Sequence, residues 1–341
     1  NQNIYGDMGA IKNHGLQSYL KNYFWPISEL EYQNIVTAMH DNYISIIDGI
    51  EDPFLYDLSL VELGFISELQ IIFHYQAIKK YALKKEQNLF YTEDTKKYYE
   101  PSWQKYANHY SNMYFPHGFL VRKIRRYIKN FVFNQHLELI KFIKGLLFGQ
   151  SVIGIGSFDR LKKEYIVKNN LFCEHYDWPD ILDFKMKENI GVDKIVSKFN
   201  HEIISPYLEI LKSLDSQVFS KELTDQIRLA WTHRIKDLVG LFHNCSVFDN
   251  KELLVTESGK SYSKIISLVN NRNGTKVYNF HHGSDMGEVI QKRSHINDTS
   301  HSRYFVLPTN SSKQAYIKNY KDISVEKRGK LSYISINSSF Y

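Results

Sequence analysis

Apolar residues between Ile27 and Lys85 recur at helical spacing, with Leu58, Val61, Leu63, Ile66, Leu69, Ile72 and Phe73 on repeating turns and Pro53 as the one clear break. This pattern predicts an α-helical region. Residues 88–92 form a short apolar run that empties into Glu93-Asp94, as a buried strand ending in a loop would. Helical spacing returns over 117–148. The pattern then shortens: 151–156 reads as a strand, 159–167 as a helix and 170–173 as another short strand. Residues 189–243 read as long helices interrupted at Pro206. The last hundred residues alternate most clearly. There 252–256 is a strand, 259–271 an amphipathic helix carrying Tyr262, Ile265, Ile266, Leu268 and Val269, and 276–280 a second strand. A strand over 303–307, a helix over 311–319 and a further strand over 330–336 follow.

Strand and helix in alternation with short connections predict a parallel, Rossmann-like sheet. The expected architecture is α/β and helix-rich, with a Rossmann-like domain over 87–329, an α-helical elaboration over 1–86, and residues 330–341 beginning a second Rossmann-like domain. Ligands of such sheets sit at the carboxyl ends of the strands. That rule singles out residues 92–94, 154–156, 256–260, 281–283 and 308–310.

Composition narrows the function classes. A chain of 341 residues exceeds one typical domain of ~100–200 residues. Its 43% apolar and 23% charged residues exclude wholesale disorder, collagen-like repeats and coiled coil. Two cysteines, Cys173 and Cys245, cannot by themselves make a four-ligand zinc site, and a reducing compartment is the default. With no apolar stretch of ~18 residues and no signal-peptide pattern at Asn1-Gln2-Asn3, the expected location is cytoplasmic, up to the inner face of the membrane. The net charge of +6 is a moderate excess that suits a nucleotide, a phospholipid surface or no particular partner. Fifty aromatic residues (21 Phe, 25 Tyr, 4 Trp) are more than a core needs, and some are expected to line a ligand groove.

Four motifs bear on chemistry. Gly154-Ile155-Gly156-Ser157-Phe158-Asp159 starts like a dinucleotide fingerprint but lacks the third glycine, and reads as a tight strand-to-helix turn capped by Ser157 or Asp159. Glu257-Ser258-Gly259-Lys260-Ser261 ends like a P-loop, yet the position five before Gly259 is Leu254. What remains is a helix N-terminus that either binds an anion or is simply capped. His281-His282-Gly283 follows a strand directly, so at most one histidine can face a cleft while the other packs or caps. His295 and His301 show no metal-ligand spacing. Arg122 to Lys129 holds five basic residues in eight; Val121, Ile124, Ile128 and Phe131 share a side expected to pack on the core. The sharper reading of this stretch is a peripheral contact of Arg122, Arg125 and Arg126 with anionic lipid headgroups or a charged glycan. No nucleic-acid-binding motif is present.

The segments 253–261 and 276–283 resemble bacterial surface-polysaccharide glycosyltransferases of the GT-B type, the capsule and lipopolysaccharide transferases that include Kdo transferases, and related polymerases using CDP-linked donors. His282 and Gly283 match the His-Gly turn that lies in that group's interdomain cleft, while His281 stands where glutamine is commoner. The resemblance implies transfer of a sugar, Kdo or a related acid sugar, from a nucleotide donor such as a CMP-linked one to a glycan or lipid-linked acceptor. Alternatives are glycerol- or ribitol-phosphate transfer on the same scaffold, or a non-catalytic scaffold domain of a polysaccharide-assembly complex. No cofactor beyond the donor is implied. Glu257 would take the acidic or nucleophilic role, with Asp94 and Asp159 as alternatives. His281 and His282 would touch acceptor or donor phosphate, beside the Gly283 turn, and Ser258, Gly259 and Lys260 would stabilise the departing anion.

Overall fold

The computed structural model describes residues 5–6, 29–84, 89–111, 152–157, 159–182, 191–281, 292–320 and 331–338, with single positions between 124 and 143. In chain order the helices are α1 (Glu29–Asp48), α2 (Pro53–Val61), α3 (Leu63–Lys84), α4 (Glu93–Tyr99), α5 (Trp103–Ala107), α6 (Arg160–Lys168), α7 (Val192–Phe199), α8 (Ser205–Leu214), α9 (Lys221–His243), α10 (Ser261–Arg272), α11 (Lys292–Thr299) and α12 (Asn310–Tyr320). The strands are β1 (Tyr5–Gly6), β2 (Leu89–Phe90), β3 (Val152–Ile155), β4 (Cys173–Tyr176), β5 (Glu252–Val255), β6 (Lys276–Phe280), β7 (Tyr304–Leu307) and β8 (Ser332–Ser335). No helix among the described residues is long and apolar enough to cross a membrane.

The chain divides into two compact units, each made of three stretches: residues 1–56, 65–112 and 191–238 form a helical unit, and 57–64, 113–190 and 239–341 form a sheet unit. The linear division expected at residue 86 is therefore replaced by an interleaved one. In the helical unit, Pro53 opens α2 and Asp52 Oδ1 accepts the backbone N–H of Phe54 at 2.9 Å, which is why the apolar pattern breaks there. The unit's core gathers on Trp231, fully buried, whose ring lies 6.0 Å from Tyr43, 5.4 Å from Phe65, 6.4 Å from Phe199 and 5.8 Å from Tyr207. All three stretches of the unit contribute a ring to that cluster.

The sheet unit is an α/β, Rossmann-like domain: six parallel strands in the order β4-β3-β5-β6-β7-β8. Helices cover both faces. Val306 packs with Leu161, Tyr165 and Ile166 of α6, whereas its neighbours Phe305 and Leu307 pack with Tyr316 and Tyr320 of α12. The near-continuous burial of β3, β5 and β7 follows from being sandwiched in this way.

Two sequence expectations shift. The strand expected at 170–173 begins at Cys173 instead, because Asn170, at φ +50°, ends the turn after α6; the ladder to β3 then starts with Val152 N–H donating to the Phe172 carbonyl. The stretch at 330–336 does contain a strand, but β8 pairs with β7 as the edge of the same sheet and opens no second one. At the opposite edge, β4 is covered by side chains. Asn134 Nδ2 donates to Cys173 O at 2.7 Å, Asn134 Oδ1 accepts from Cys173 N at 2.8 Å, and Asn130 Oδ1 accepts from His175 N at 2.6 Å. Two asparagines at helical positions thus take the place of the strand that an edge would otherwise recruit.

Candidate functional site

The chain runs from β3 outward to β4, then returns to β5 on the other side of β3, so strand order reverses between β3 and β5. In doubly wound sheets the crevice beyond the carboxyl ends at such a reversal is where ligands bind. Here those ends carry Gly156-Ser157 and Thr256-Glu257-Ser258-Gly259.

The β3 end is a tightly held turn. Gly156 adopts φ +90°, and a Cβ there would come 2.6 Å from Thr256 Oγ1. The buried Lys162 Nζ donates to Ile155 O at 3.1 Å, and His175 Nε2 donates to Gly156 O at 2.9 Å. Thr256 Oγ1 lies 3.2 Å from the carbonyls of both Ile155 and Ser157. Asp159 caps α6, with Oδ1 accepting from Leu161 N at 2.8 Å and Lys162 N at 3.2 Å.

The β5 end leads into α10. Glu257 stands at φ +58°, in the left-handed region that an L-residue with a long side chain occupies at a cost of ~1–3 kcal/mol. Its Oε2 accepts from the Tyr262 hydroxyl, and the Tyr262 ring stacks on Trp178 with centroids 4.9 Å apart and planes 12° apart. The carboxylate is thereby fixed in place with an aromatic pair beside it. Lys260, exposed, is the N-cap residue of α10, and its side chain makes no capping hydrogen bond. Ser258 is fully buried and its Oγ has no hydrogen-bond partner among the described residues. Leaving a buried hydroxyl unpaired costs ~1–3 kcal/mol, the kind of cost a bound ligand removes.

α11 closes against this start. A Cβ on Gly259 would meet Asp298 Oδ1 at 2.9 Å and Asn297 Nδ2 at 3.2 Å, so glycine is what lets that pair approach the backbone. One turn into α10, Lys264 is fully buried and donates to Leu60 O at 3.1 Å and to Asn297 Oδ1 at 2.6 Å. Burial pulls its pKa down to about 7, against the raising influence of the Asp298 and Glu62 carboxylates. Deeper still, Asn279 Nδ2 donates to Ser267 Oγ at 3.1 Å and approaches His301 Nε2 at 3.4 Å, which makes Nε2 the acceptor. Burial, aided by the Lys264 charge, holds the His301 pKa well below its ordinary value, so the ring is neutral.

The structure gathers Glu257, Ser258, Gly259 and Lys260 in one turn and sets Asp159 at the start of α6 after the adjacent β3. His281 goes elsewhere. It is buried, donates its backbone N–H to Val306 O at 3.0 Å, and presents its ring edge-on to Phe305 and Tyr316. Of the two histidines it is therefore a packing residue; His282 and Gly283 lie outside the described residues, as do Arg122, Arg125 and Arg126. Asp94 is exposed in the first turn of α4, in the helical unit. Sequence reasoning placed Thr256 in a strand-end segment but missed Trp178, Lys264, Asn297 and Asp298 as site residues, and counted Tyr262 only as apolar helix face. Among the described residues no three His, Cys, Asp or Glu side chains gather into a metal-binding group. Compared with known proteins, the chain matches no family model, no curated protein and no solved structure.

Proposed function

We propose that the sheet unit binds the phosphate of a nucleotide-linked donor at the α10 N-terminus and that the protein is a sugar-nucleotide-dependent glycosyltransferase. The observation carrying this reading is the buried Ser258 hydroxyl, unpartnered among the described residues, beside a helix start at the strand-order reversal whose N-cap side chain makes no capping hydrogen bond. Backbone N–H groups of the first turn, the Ser258 hydroxyl and the Lys260 ammonium complement a phosphate anion. Glu257, held by Tyr262, is the group suited to accept the acceptor's hydroxyl proton. In the reaction the acceptor oxygen forms a bond to the anomeric carbon, the bond from that carbon to the phosphate oxygen breaks, and the electron pair leaves with the nucleotide. The proton passes to Glu257, and the departing charge falls at the positive end of α10. Trp178 and Tyr262 give a flat aromatic surface suited to a base or sugar ring.

The test is titration of the protein with CMP, CDP, UDP and GDP and their sugar conjugates, read by calorimetry and melting temperature. One nucleotide is expected to bind selectively, with cytidine nucleotides first in line, and Ser258→Val is expected to weaken that binding at least tenfold. Glu257→Gln should retain binding while turnover falls roughly 10²–10⁴-fold. A CDP-linked polyol that is turned over in place of every sugar donor would move the chemistry to phosphoryl transfer on the same site. A folded protein that binds none of these nucleotides sinks the reading.

A further inference from the structure

Residues 113–158 carry seven lysines and arginines against one glutamate, a net charge of +6, which equals the charge of the whole chain. The charges of the rest of the chain sum to zero. Within it, positions 124, 127, 128, 130, 131 and 134 are helical. Asn130 and Asn134 face β4, where they hydrogen-bond the edge of the sheet. The expected burial of the apolar side does not occur: Ile124, Tyr127, Ile128 and Phe131 are 51%, 64%, 58% and 61% exposed. Their spacing of three, four and seven places them on one side of the helix. Arg122, Lys123, Arg125, Arg126 and Lys129 are interleaved with them in sequence.

Four large apolar side chains on one helical stripe cost free energy in water, and isolated exposed apolar residues do not line up in this way. A stripe that includes two aromatic rings, in a stretch otherwise rich in arginine and lysine, has the composition of a helix that lies in the interface of an anionic bilayer, rings inward and cations at the headgroups. We infer that the stretch carrying Ile124, Tyr127, Ile128 and Phe131 is an interfacial helix that docks the protein on an anionic lipid surface by inserting Tyr127, Ile128 and Phe131. The docking stretch is thus apolar as well as basic in composition, and the inference does not depend on the reaction proposed above. An edge strand held by Asn130 and Asn134 gives the helix its seat, so the sheet unit would rest on the membrane along its β4 edge.

Flotation with vesicles of phosphatidylcholine alone and of phosphatidylcholine with an equal part of phosphatidylglycerol tests this directly. The full chain is expected to float with the anionic vesicles and stay behind with the neutral ones. Ile128→Asp combined with Phe131→Asp should lower vesicle partitioning about tenfold or more while leaving the melting temperature unchanged, since both side chains are exposed. Tyr127→Trp supplies a second readout: the fluorescence of the introduced indole, after subtraction of the parent protein, should shift to the blue on anionic vesicles as the ring leaves water. Partitioning that survives the double aspartate variant, or indole emission from the Tyr127→Trp protein that stays red when it is vesicle-bound, overturns insertion. A sedimentation analysis in which the same double aspartate variant dissolves a self-associated species, with no vesicle binding by the parent, overturns the lipid assignment in favour of a second copy of this chain.

Discussion

Burial alters the charge of Lys264 and of His301, and both bias stability in the same direction. Lys264 titrates near 7 when folded and near 10.5 when unfolded, so between those values the unfolded chain holds more protons and stability rises as pH rises. His301 refuses its proton when folded but takes it near 6.5 when unfolded, so stability falls as pH drops below that value. Denaturant melts from about pH 5 to about pH 10 should therefore show stability climbing through an acidic limb, to which His301 and the buried His74 contribute, and an alkaline limb from Lys264. Lys264→Met is expected to flatten the alkaline limb and His301→Gln the acidic one. An unchanged slope in both variants would mean that the two groups are solvated in the native state. Neither residue was legible as special in the sequence, because a lysine on the apolar side of a helix is indistinguishable from a snorkelling one until the partners Leu60 and Asn297 are known. Asp159, by contrast, was readable: an acidic residue after a Gly-x-Gly turn and before a helical pattern announces a cap.

At the level of elements, the β5–α10–β6 unit was legible because an apolar run, an amphipathic period and a second apolar run follow one another with little between them. β4 was displaced because Cys-Glu-His-Tyr mixes polar and apolar positions, as an edge strand does, while the preceding Asn-Leu-Phe looks more strand-like. α11 was invisible, since Lys-Arg-Ser-His-Ile-Asn-Asp-Thr has no helical apolar stripe, and with it went Asn297 and Asp298. The asparagine cover of β4 could not be read either, because its partners are 39 residues apart. It makes a prediction that belongs to this scale. Asn134→Leu keeps the volume but leaves the Cys173 N–H and C=O without their paired partner, at a cost of roughly 2–4 kcal/mol for two buried backbone groups. Amide exchange at Cys173 and His175 should speed up ahead of β5 and β6; equal protection across these three strands would show that the edge is held by something else.

For the molecule as a whole, local pattern could not reveal the interleaving. Among the described residues the helices expected within 27–85 and 189–243 are present, yet nothing in either pattern says that Trp231 meets Tyr43 and Phe65. The short stretch 57–64 is the converse case: helical in pattern, it belongs to the sheet unit, where Asp57 is buried in an ion pair with Arg272 and Leu60 receives Lys264. A fragment running from residue 113 to residue 341 therefore lacks the groups that satisfy Lys264 and Arg272, and carries residues 191–238 without the rings they pack against. Such a fragment is expected to lack near-ultraviolet circular dichroism and a cooperative melt, despite holding all six strands. A cooperative, native-like melt would show that the sheet unit needs neither stretch.

The position of Trp231 also sets a timetable for synthesis. Tyr43 and Phe65 emerge from the ribosome well before the residue that completes their core, and at about 5–20 residues per second the wait lasts on the order of 10–40 seconds. Throughout that interval α1 and α3 present their apolar sides without the third stretch that covers them. The nascent chain is thus a natural client for chaperones that hold exposed apolar segments, and a pause in translation upstream of residue 231 would lengthen its exposure rather than help it fold.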